Sequence, residues 1–474
     1  MEFSERPFHF IGVGGIGMSA LAYILAKQGF KVSGSDLRPN RLTEQLAELG
    51  VRIFIGQSAT NLEQYPFVSL PQVICSSAIR HDNPEYEAAQ RLGCPIFHRA
   101  DVLAALMHRR QSIAVAGTHG KTTTSSMIAY LLLQAGLDPT IIVGGEVAAW
   151  QGNARVGQSP YLVAEADESD GSLCKFHPHI GVITNIELDH PDHYRSLEEV
   201  VDTFQRFANQ AHRVIACADC PTIRDRLHHP RLVTYSLQRQ ANVDYCVDHI
   251  QYTAKGTTAR VWERGTSLGI LHLNILGAHN LQNALAVIAV GRSLGIDFAT
   301  IAAALLEFRG ARRRFEERGQ VNGIRFIDDY AHHPSEITAT LEAARLQVGK
   351  QSPWQRIVAV FQPHRYSRTQ TFLEAFGQSF TAADHVILTD IYGAGEPNPG
   401  TISGADVATC TRQYHASVDY CPTLEAVQKH LAQLLQPGDL VIFLGAGNLS
   451  QLIPSVMADQ AQMSVSSLPE AIAL

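Results

Sequence analysis

Short apolar runs alternate with longer stretches of helical period along almost the whole chain. Phe8–Val13 reads as a buried strand, Met18–Gln28 as a helix and Lys31–Ser35 as a second strand. The alternation resumes at Val73–Cys75, Pro95–Phe97, Ile113–Ala116, Thr140–Val143, Tyr161–Ala164 and Ile180–Thr184. It returns at Ile324–Ile327, Ile357–Phe361, His385–Ile391 and Leu440–Leu444. Strands that alternate with helices predict an α/β protein with mostly parallel sheets. Residues 211–275 depart from this, with short strand-like pieces among polar ones.

A chain of 474 residues has room for about three domains at ~150 residues each. The expected division is 1–110, 111–312 and 313–474, the last junction falling in the arginine-rich stretch Phe308–Glu316. The first and last segments read as Rossmann-like doubly wound units, the middle one as an ATPase of phosphate-loop type. The tail beyond about Ser464 is expected to be loosely ordered.

Composition narrows the function classes. A net charge of −7 argues against a general binder of nucleic acid or of membrane surfaces, though anionic ligands need only local positive charge. The apolar runs are too short or too interrupted to span a bilayer, and the polar start of the chain carries no signal segment. The expected home is the cytoplasm. Eight scattered cysteines make no disulfide framework, and the lone Cys217-x-x-Cys220 pair reads as structural.

The first strand runs into Gly12-Val13-Gly14-Gly15-Ile16-Gly17, and the second ends at Asp36. A glycine turn opening a helix, with an acid ~20 residues on, is the dinucleotide-binding fingerprint. The turn reads a diphosphate, so a nicotinamide cofactor and a nucleotide-sugar satisfy it equally. Ser76, Ser77 and Arg99 lie at later strand ends, where ligands sit in such sheets. Turn chemistry and a solvated charge are their plain alternatives.

After Ile113–Ala116 comes Gly117-Thr118-His119-Gly120-Lys121-Thr122-Thr123, which opens another helix. Glycines let backbone N–H groups approach phosphate, and the helix N-terminus adds unpaired donors. Lys121 is placed for the outer phosphates of ATP, and the Thr122 hydroxyl for Mg2+. The loop is shorter than the common phosphate loop, which needs a glycine where Val115 stands. Tyr161–Ala164 ends in Glu165-Ala166-Asp167-Glu168-Ser169-Asp170. Acids at such a strand end suit Mg2+, with Glu165, nearest the strand, the first choice and the others solvated or capping. His190, after the next strand, is a second candidate ligand. Asn280 and Asn283 share a helix face and either read an adenine edge or cap the helix.

In the last segment, strand ends carry Asp328-Asp329-Tyr330-Ala331-His332-His333 and Gln362-Pro363-His364-Arg365-Tyr366-Ser367-Arg368. The guanidinium forks of Arg365 and Arg368 match a carboxylate. An arginine of the 309–314 run, at a hinge, is placed to clamp a nucleotide when domains close.

Seven stretches now fall in order: HFIGVGGIGMSALA, GTHGKTTT, EADESD, TNIELDHPD, GAHNLQNA, DDYAHHPSE and FQPHRYSRT. Together they resemble the Mur ligase family, and within it the alanine-adding branch, from residue 9 to about 400. The resemblance implies ATP-dependent, ADP-forming ligation of L-alanine to the lactyl carboxylate of UDP-N-acetylmuramate through an acyl phosphate, with Mg2+. That step belongs to peptidoglycan precursor synthesis in a monomer or homodimer. It implies a UDP-sugar site at Gly14, Gly15, Ile16, Gly17, Asp36, Ser77 and Arg99, with His119 and Asn185 near the muramoyl group. It implies ATP contacts from Gly117 to Thr123, from Asn283 and from Arg313. Thr122, Glu165 and His190 are the implied metal ligands. Tyr330, His332, Arg365 and Arg368 are the implied pocket for alanine and the lactyl carboxylate, and Lys121, Glu165, His190, Arg365 and Arg368 the implied catalytic set.

Two departures stand out. Several relatives carry a carbamylated lysine near the metal, but no lysine lies between Lys175 and Lys255. Asn448 stands where the family would have Asp. The alternatives are a recycling ligase that adds a tripeptide to the same UDP-sugar, a nicotinamide-dependent oxidoreductase, and a non-catalytic nucleotide-binding scaffold.

Overall fold

A computed structural model describes residues 6–66, 69–240 and 242–466. Three sheets follow one another along the chain, each nucleated by strands that bury every residue. The first contains β1 (Phe8–Ile11), β2 (Val32–Asp36), β3 (Arg52–Ile55), β4 (Gln72–Cys75) and β5 (Ile96–His98). They lie in the order β3-β2-β1-β4-β5, all parallel. The chain order reverses beside β1, so the crevice for a ligand opens at its carboxyl end, where the glycine turn sits.

The middle sheet is built from β6 (Gln111–Ala116), β7 (Thr140–Val147), β8 (Gly152–Arg155), β9 (Tyr161–Glu165), β10 (Ile180–Ile183), β11 (Arg213–Cys217) and β12 (Leu232–Ser236). It continues into β13 (Tyr245–Thr253), β14 (Gly256–Glu263) and β15 (Thr266–Leu273). The spatial order is β15-β14-β13-β12-β11-β10-β6-β9-β7-β8. Central β6 pairs in parallel with β10 and β9, so the loops after these three strands open on one edge. Residues 245–273, read from sequence as short pieces, form three long antiparallel strands. Their tight turns end on Gly256 and Gly265, both at positive φ. β7 likewise runs on through Gly144 and Gly145, where a loop was expected, and pairs with β8.

The third sheet holds β16 (Glu316–Val321), β17 (Ile324–Asp329), β18 (Arg356–Phe361), β19 (His385–Leu388), β20 (Val418–Tyr420) and β21 (Asp439–Leu444). Its order is β16-β17-β21-β18-β19-β20, parallel except at the β16 edge. Side-chain alternation gives it two cores. Ile357, Ala359 and Phe361 face one layer of helices while Val358 and Val360 face the other. Phe361 packs against Phe376 and Phe380 with ring centroids 5.5 Å from each. Burying each such ring is worth roughly 1.5–3 kcal/mol.

The final helix, Ile453–Ser466, carries order past Ser464, and residues 467–474 lie outside the described residues. Among the described residues no helix is long and apolar enough to cross a membrane. Cys217 is buried and Cys220 half-buried, and both are free thiols.

Candidate active site

The loop between β6 and the helix Lys121–Gln134 owes its shape to two glycines. Gly117 has φ 139°, and a Cβ there would collide with the Thr184 hydroxyl. Gly120 has φ 79° and lies so close to Asn283 that a Cβ would sit 2.7 Å from its Oδ1. No other residue fits either position without moving the strand end or the helix beside it. Asn185 also holds the loop: its Oδ1 accepts from the His119 N–H at 2.8 Å and its Nδ2 donates to the His119 carbonyl at 3.1 Å. Its side chain, expected near the muramoyl group, is engaged with loop backbone.

Lys121 folds back over this loop. Its Nζ donates to the carbonyls of Gly117 (2.7 Å) and Thr118 (3.1 Å) and pairs with Glu168 at 2.8 Å. Burial opposes its charge, but Glu168, Asp167 and Glu165 outweigh burial and hold its pKa above the ordinary lysine value. Burial pushes Glu168 up to about 7 against the pull of Lys121. Asp167 would also be raised by burial, but Arg99, Lys121 and His190 hold it well below the usual carboxylate range.

The sequence places the metal on Thr122, Glu165 and His190, and the structure brings two further acids beside His190. Asp167, Glu168 and His190 each bring a ligand atom within 4.8 Å of the others. Glu165, the first choice from its place nearest the strand, instead accepts from the Gly144 N–H at 2.8 Å and packs against that glycine. The β9 strand ends at Glu165, and the turn after it swings Asp167 and Glu168 back over the phosphate loop. The Thr122 hydroxyl is buried and accepts from Arg314 Nη2 at 3.4 Å.

The arginine at this hydroxyl is Arg314, where the sequence reading placed Arg313 on the nucleotide. Arg313 turns away from the loop: its Nη2 donates to the Gly445 carbonyl at 2.6 Å and its guanidinium lies 4.9 Å from the Tyr330 ring centroid. Arg314, one residue on, faces the loop, because Arg313 and Phe315 both take positive φ and the chain reverses between them. Asn283 is buried and, with Asn280, His279, Tyr235 and Thr123, borders a cavity of about 260 Å³ beside the loop.

His119 bridges two domains. Its Nε2 stands 3.4 Å from Glu187 of the middle domain, and its Nδ1 stands 3.3 Å from Glu336 of the third. Burial alone would lower its pKa, but the two carboxylates lift it to about 10. His333 stacks against it with ring centroids 4.6 Å apart, and Ser335 donates to Glu187 at 2.8 Å. Burial keeps His332 and His333 neutral, at about 3 and about 4.

The two arginines expected to face a carboxylate already hold the chain's own acids. Arg368 is fully buried and donates from Nε to Asp189 Oδ1 at 2.8 Å. A side chain so enclosed positions the Asp-His segment and is not open to a ligand. Arg365 is about one-third exposed and reaches Asp192 at 3.0 Å and Glu396 at 3.3 Å. Tyr330 lies under Arg313 and Arg314, and His332 Nδ1 meets the Tyr330 carbonyl at 3.0 Å.

In the first domain the Gly14 N–H donates to Asp36 Oδ2 at 2.8 Å, so the acid at the end of β2 shapes the glycine turn itself. The turn leads through Gly15 into the helix Ile16–Lys27, whose first turn passes close to Arg99 at Gly17. Arg99 is no solvated charge: it pairs with Asp167 at 2.9 Å and Asp170 at 3.3 Å, linking the glycine turn to the acids of the middle domain. Ser77 is exposed. Asn153, absent from the sequence expectation, donates to the Ile16 carbonyl at 2.5 Å and ties β8 to the same turn. Nothing in its local sequence signals this role.

Three doubly wound domains thus meet at one phosphate loop, with a nucleotide-diphosphate turn on one side and an arginine-histidine segment on the other. That arrangement defines an ATP-dependent ligase of the kind that activates a carboxylate. The Mur ligase family catalytic domain matches residues 7–111, the Mur ligase middle domain residues 115–291 and the Mur ligase glutamate ligase domain residues 313–447. The chain belongs to the Mur ligase family. It is 90% identical over 474 residues, the whole of both chains, to the UDP-N-acetylmuramate–L-alanine ligase of Thermosynechococcus vestitus. It is 62% identical to that of a Cyanothece strain over 100% of this chain and 99% of the relative. The crystal structure of the UDP-N-acetylmuramate–alanine ligase of Thermotoga maritima superposes with a TM-score of 0.80 at 30% identity, covering 97% of this chain and all of that one.

Proposed function

We infer that this chain joins L-alanine to UDP-N-acetylmuramate at the expense of ATP, in peptidoglycan precursor synthesis. The observation that carries this is full-length 90% identity to a ligase of that name, on a chain whose phosphate loop is met by Arg314 and Glu336 of the third domain. The reading of the first domain as a UDP-sugar site replaces the nicotinamide alternative.

The reaction must make a poor electrophile reactive. A lactyl carboxylate oxygen attacks the γ-phosphorus of ATP, the bond to the bridging oxygen breaks and ADP leaves. The alanine amine then attacks the acyl carbon, loses a proton and expels inorganic phosphate. The backbone N–H groups of Lys121, Thr122 and Thr123, in the first turn of their helix, cradle the phosphates, and Lys121 neutralises the charge on the oxygens in flight. Arg314, beside Thr122, is the arginine placed to follow the nucleotide as the third domain closes.

The donor set also fits Mg2+. Asp167 and Glu168 offer hard oxygen atoms that lie within 4.8 Å of each other and of a His190 ring nitrogen. Asp167, Glu168 and His190, with the Thr122 hydroxyl, would hold the ion, and Glu165 stands behind them on Gly144. Held there, Mg2+ would supply positive charge to stabilise the charge that develops on phosphate oxygens during attack at phosphorus.

Arg365 is the exposed arginine of its segment and the one we assign to the alanine carboxylate, while Arg368 holds Asp189 and so the backbone leading into His190. The deciding assay is phosphate release from ATP in the presence of UDP-N-acetylmuramate, with L-alanine, glycine, L-serine or a tripeptide as acceptor. L-Alanine is expected to give the highest kcat/KM, and the absence of release with every acceptor would overturn the assignment.

A further inference from the structure

Far along the third sheet from the phosphate loop, three side chains converge at the β19–β20 edge. His385 opens β19, Asp419 sits in the middle of β20, and His430 reaches in from the helix Leu424–Leu434. His385 Nε2 lies 2.9 Å from Asp419 Oδ2, and His430 Nε2 lies 2.8 Å from the same oxygen. The three ligand atoms fall within 4.8 Å of one another, and the two rings lie 30° apart with centroids at 6.4 Å. Neither the nucleotide, the UDP-sugar nor the amino acid is assigned to this edge.

We propose that His385, Asp419 and His430 form a second-site clamp for a divalent transition cation such as Zn2+, independent of the catalytic Mg2+. Donor type is the first argument. Two imidazole nitrogens and one carboxylate oxygen suit zinc and its neighbours and are a poor set for Mg2+ or Ca2+. Spacing is the second. Ligand atoms ~2.0–2.2 Å from a tetrahedral zinc stand about 3.3–3.6 Å apart, so each nitrogen needs to part from the shared carboxylate oxygen by only about half an ångström to admit the ion. The third is orientation. Ser417 Oγ lies 2.6 Å from His385 Nδ1, so an Nδ1–H donated to that hydroxyl turns the Nε2 lone pair toward Asp419. The strand pairing supports this geometry, because Val386 pairs with Val418 and Ile387 with Asp419, which fixes His385 beside Ser417. Asp419 is 43% exposed and His430 32%, so one side is open for water to complete the coordination. The ion would join two edge strands to the helix that covers them.

The test uses the full-length chain, stripped with chelator and titrated with Co2+ in the absence of nucleotide. The expected result is one equivalent with a tetrahedral visible absorption band, displaced by Zn2+. His430→Ala and Asp419→Asn each should weaken that equivalent at least tenfold while phosphate release with L-alanine stays unchanged, which also shows that the variants fold. His190→Ala should keep the band. The proposal is overturned if the wild type binds no Co2+ or Zn2+, or if the band survives in both edge variants, or if it is lost in His190→Ala instead.

Discussion

Arg368 and Asp189 form a buried ion pair across a domain boundary, with Arg368 Nε 2.8 Å from Asp189 Oδ1 and neither side chain more than 5% exposed. The arginine comes from the third domain and the aspartate from the segment that carries His190. The contact therefore couples the docking of one domain to the shape of the site on another. Removing one partner leaves the other charged and out of water, which costs roughly 3–5 kcal/mol. Arg368→Ala should lower the thermal midpoint and loosen the docking of the third domain. Arg368→Met with Asp189→Leu should recover much of the loss, since no charge is then stranded. A double-mutant cycle on the midpoints measures the coupling, and additive losses would contradict it.

Lys121 stands at the centre of the phosphate site. Lys121→Ala should reduce phosphate release and ligation by a factor on the order of 10²–10³ or more, as expected for a donor aimed at transition-state charge. UDP-N-acetylmuramate should still bind, because its expected contacts lie in the first domain. Equilibrium binding of the UDP-sugar beside turnover of ATP separates the two effects. Ligation near the wild-type rate would remove Lys121 from the mechanism.

Arg365 differs from Arg368 in being about one-third exposed, and its partners Asp192 and Glu396 are themselves accessible. Arg365→Ala should raise the KM for L-alanine and cut kcat/KM by roughly ten- to a hundredfold, the worth of about 1.5–3 kcal/mol for a hydrogen bond to a charged group. The KM for ATP should change little. An equal loss for both substrates would point to a general disturbance of the third domain.

Much of the fold was legible because its central strands are short, wholly apolar and closed by glycine or polar residues. Ile113–Ala116 and Ile357–Phe361 are buried from end to end, as continuous apolar runs in parallel sheets must be. The strands of 245–273 were obscured because they form an antiparallel extension with one exposed face, and Asp248, Gln251 and Arg260 interrupt their apolar pattern. At the site, Gly117, Gly120 and Lys121 could be read from local chemistry, since two glycines and a lysine between a strand and a helix lie within five consecutive residues. The pairing of Glu168 with Lys121 could not, because the turn after β9 decides which acid returns to the loop. The choice between Arg313 and Arg314 likewise depends on two positive φ angles that the sequence does not display. Arg368 looked like a ligand-facing fork because its burial against Asp189 depends on a partner 179 residues away.

His119 supplies a contact whose pH dependence can be worked out in sign. Its ring lies between Glu187 and Glu336 and against His333, while Arg314 and His332 face Glu336 from the other side. His119 is raised from 6.5 to about 10, so its stabilisation is complete below 6.5, falls as pH rises and is gone above about 10. Burial would raise Glu187, but His119 pulls it from 4.5 down to about 2. Its share is complete above 4.5 and is lost as pH falls toward 2. Both contributions are therefore present in full only between 4.5 and 6.5. The difference in thermal midpoint between wild type and His119→Gln should be largest in that window and shrink on either side. A difference that stays level from pH 5 to pH 10 would show that His119 does not carry its charge between the two domains.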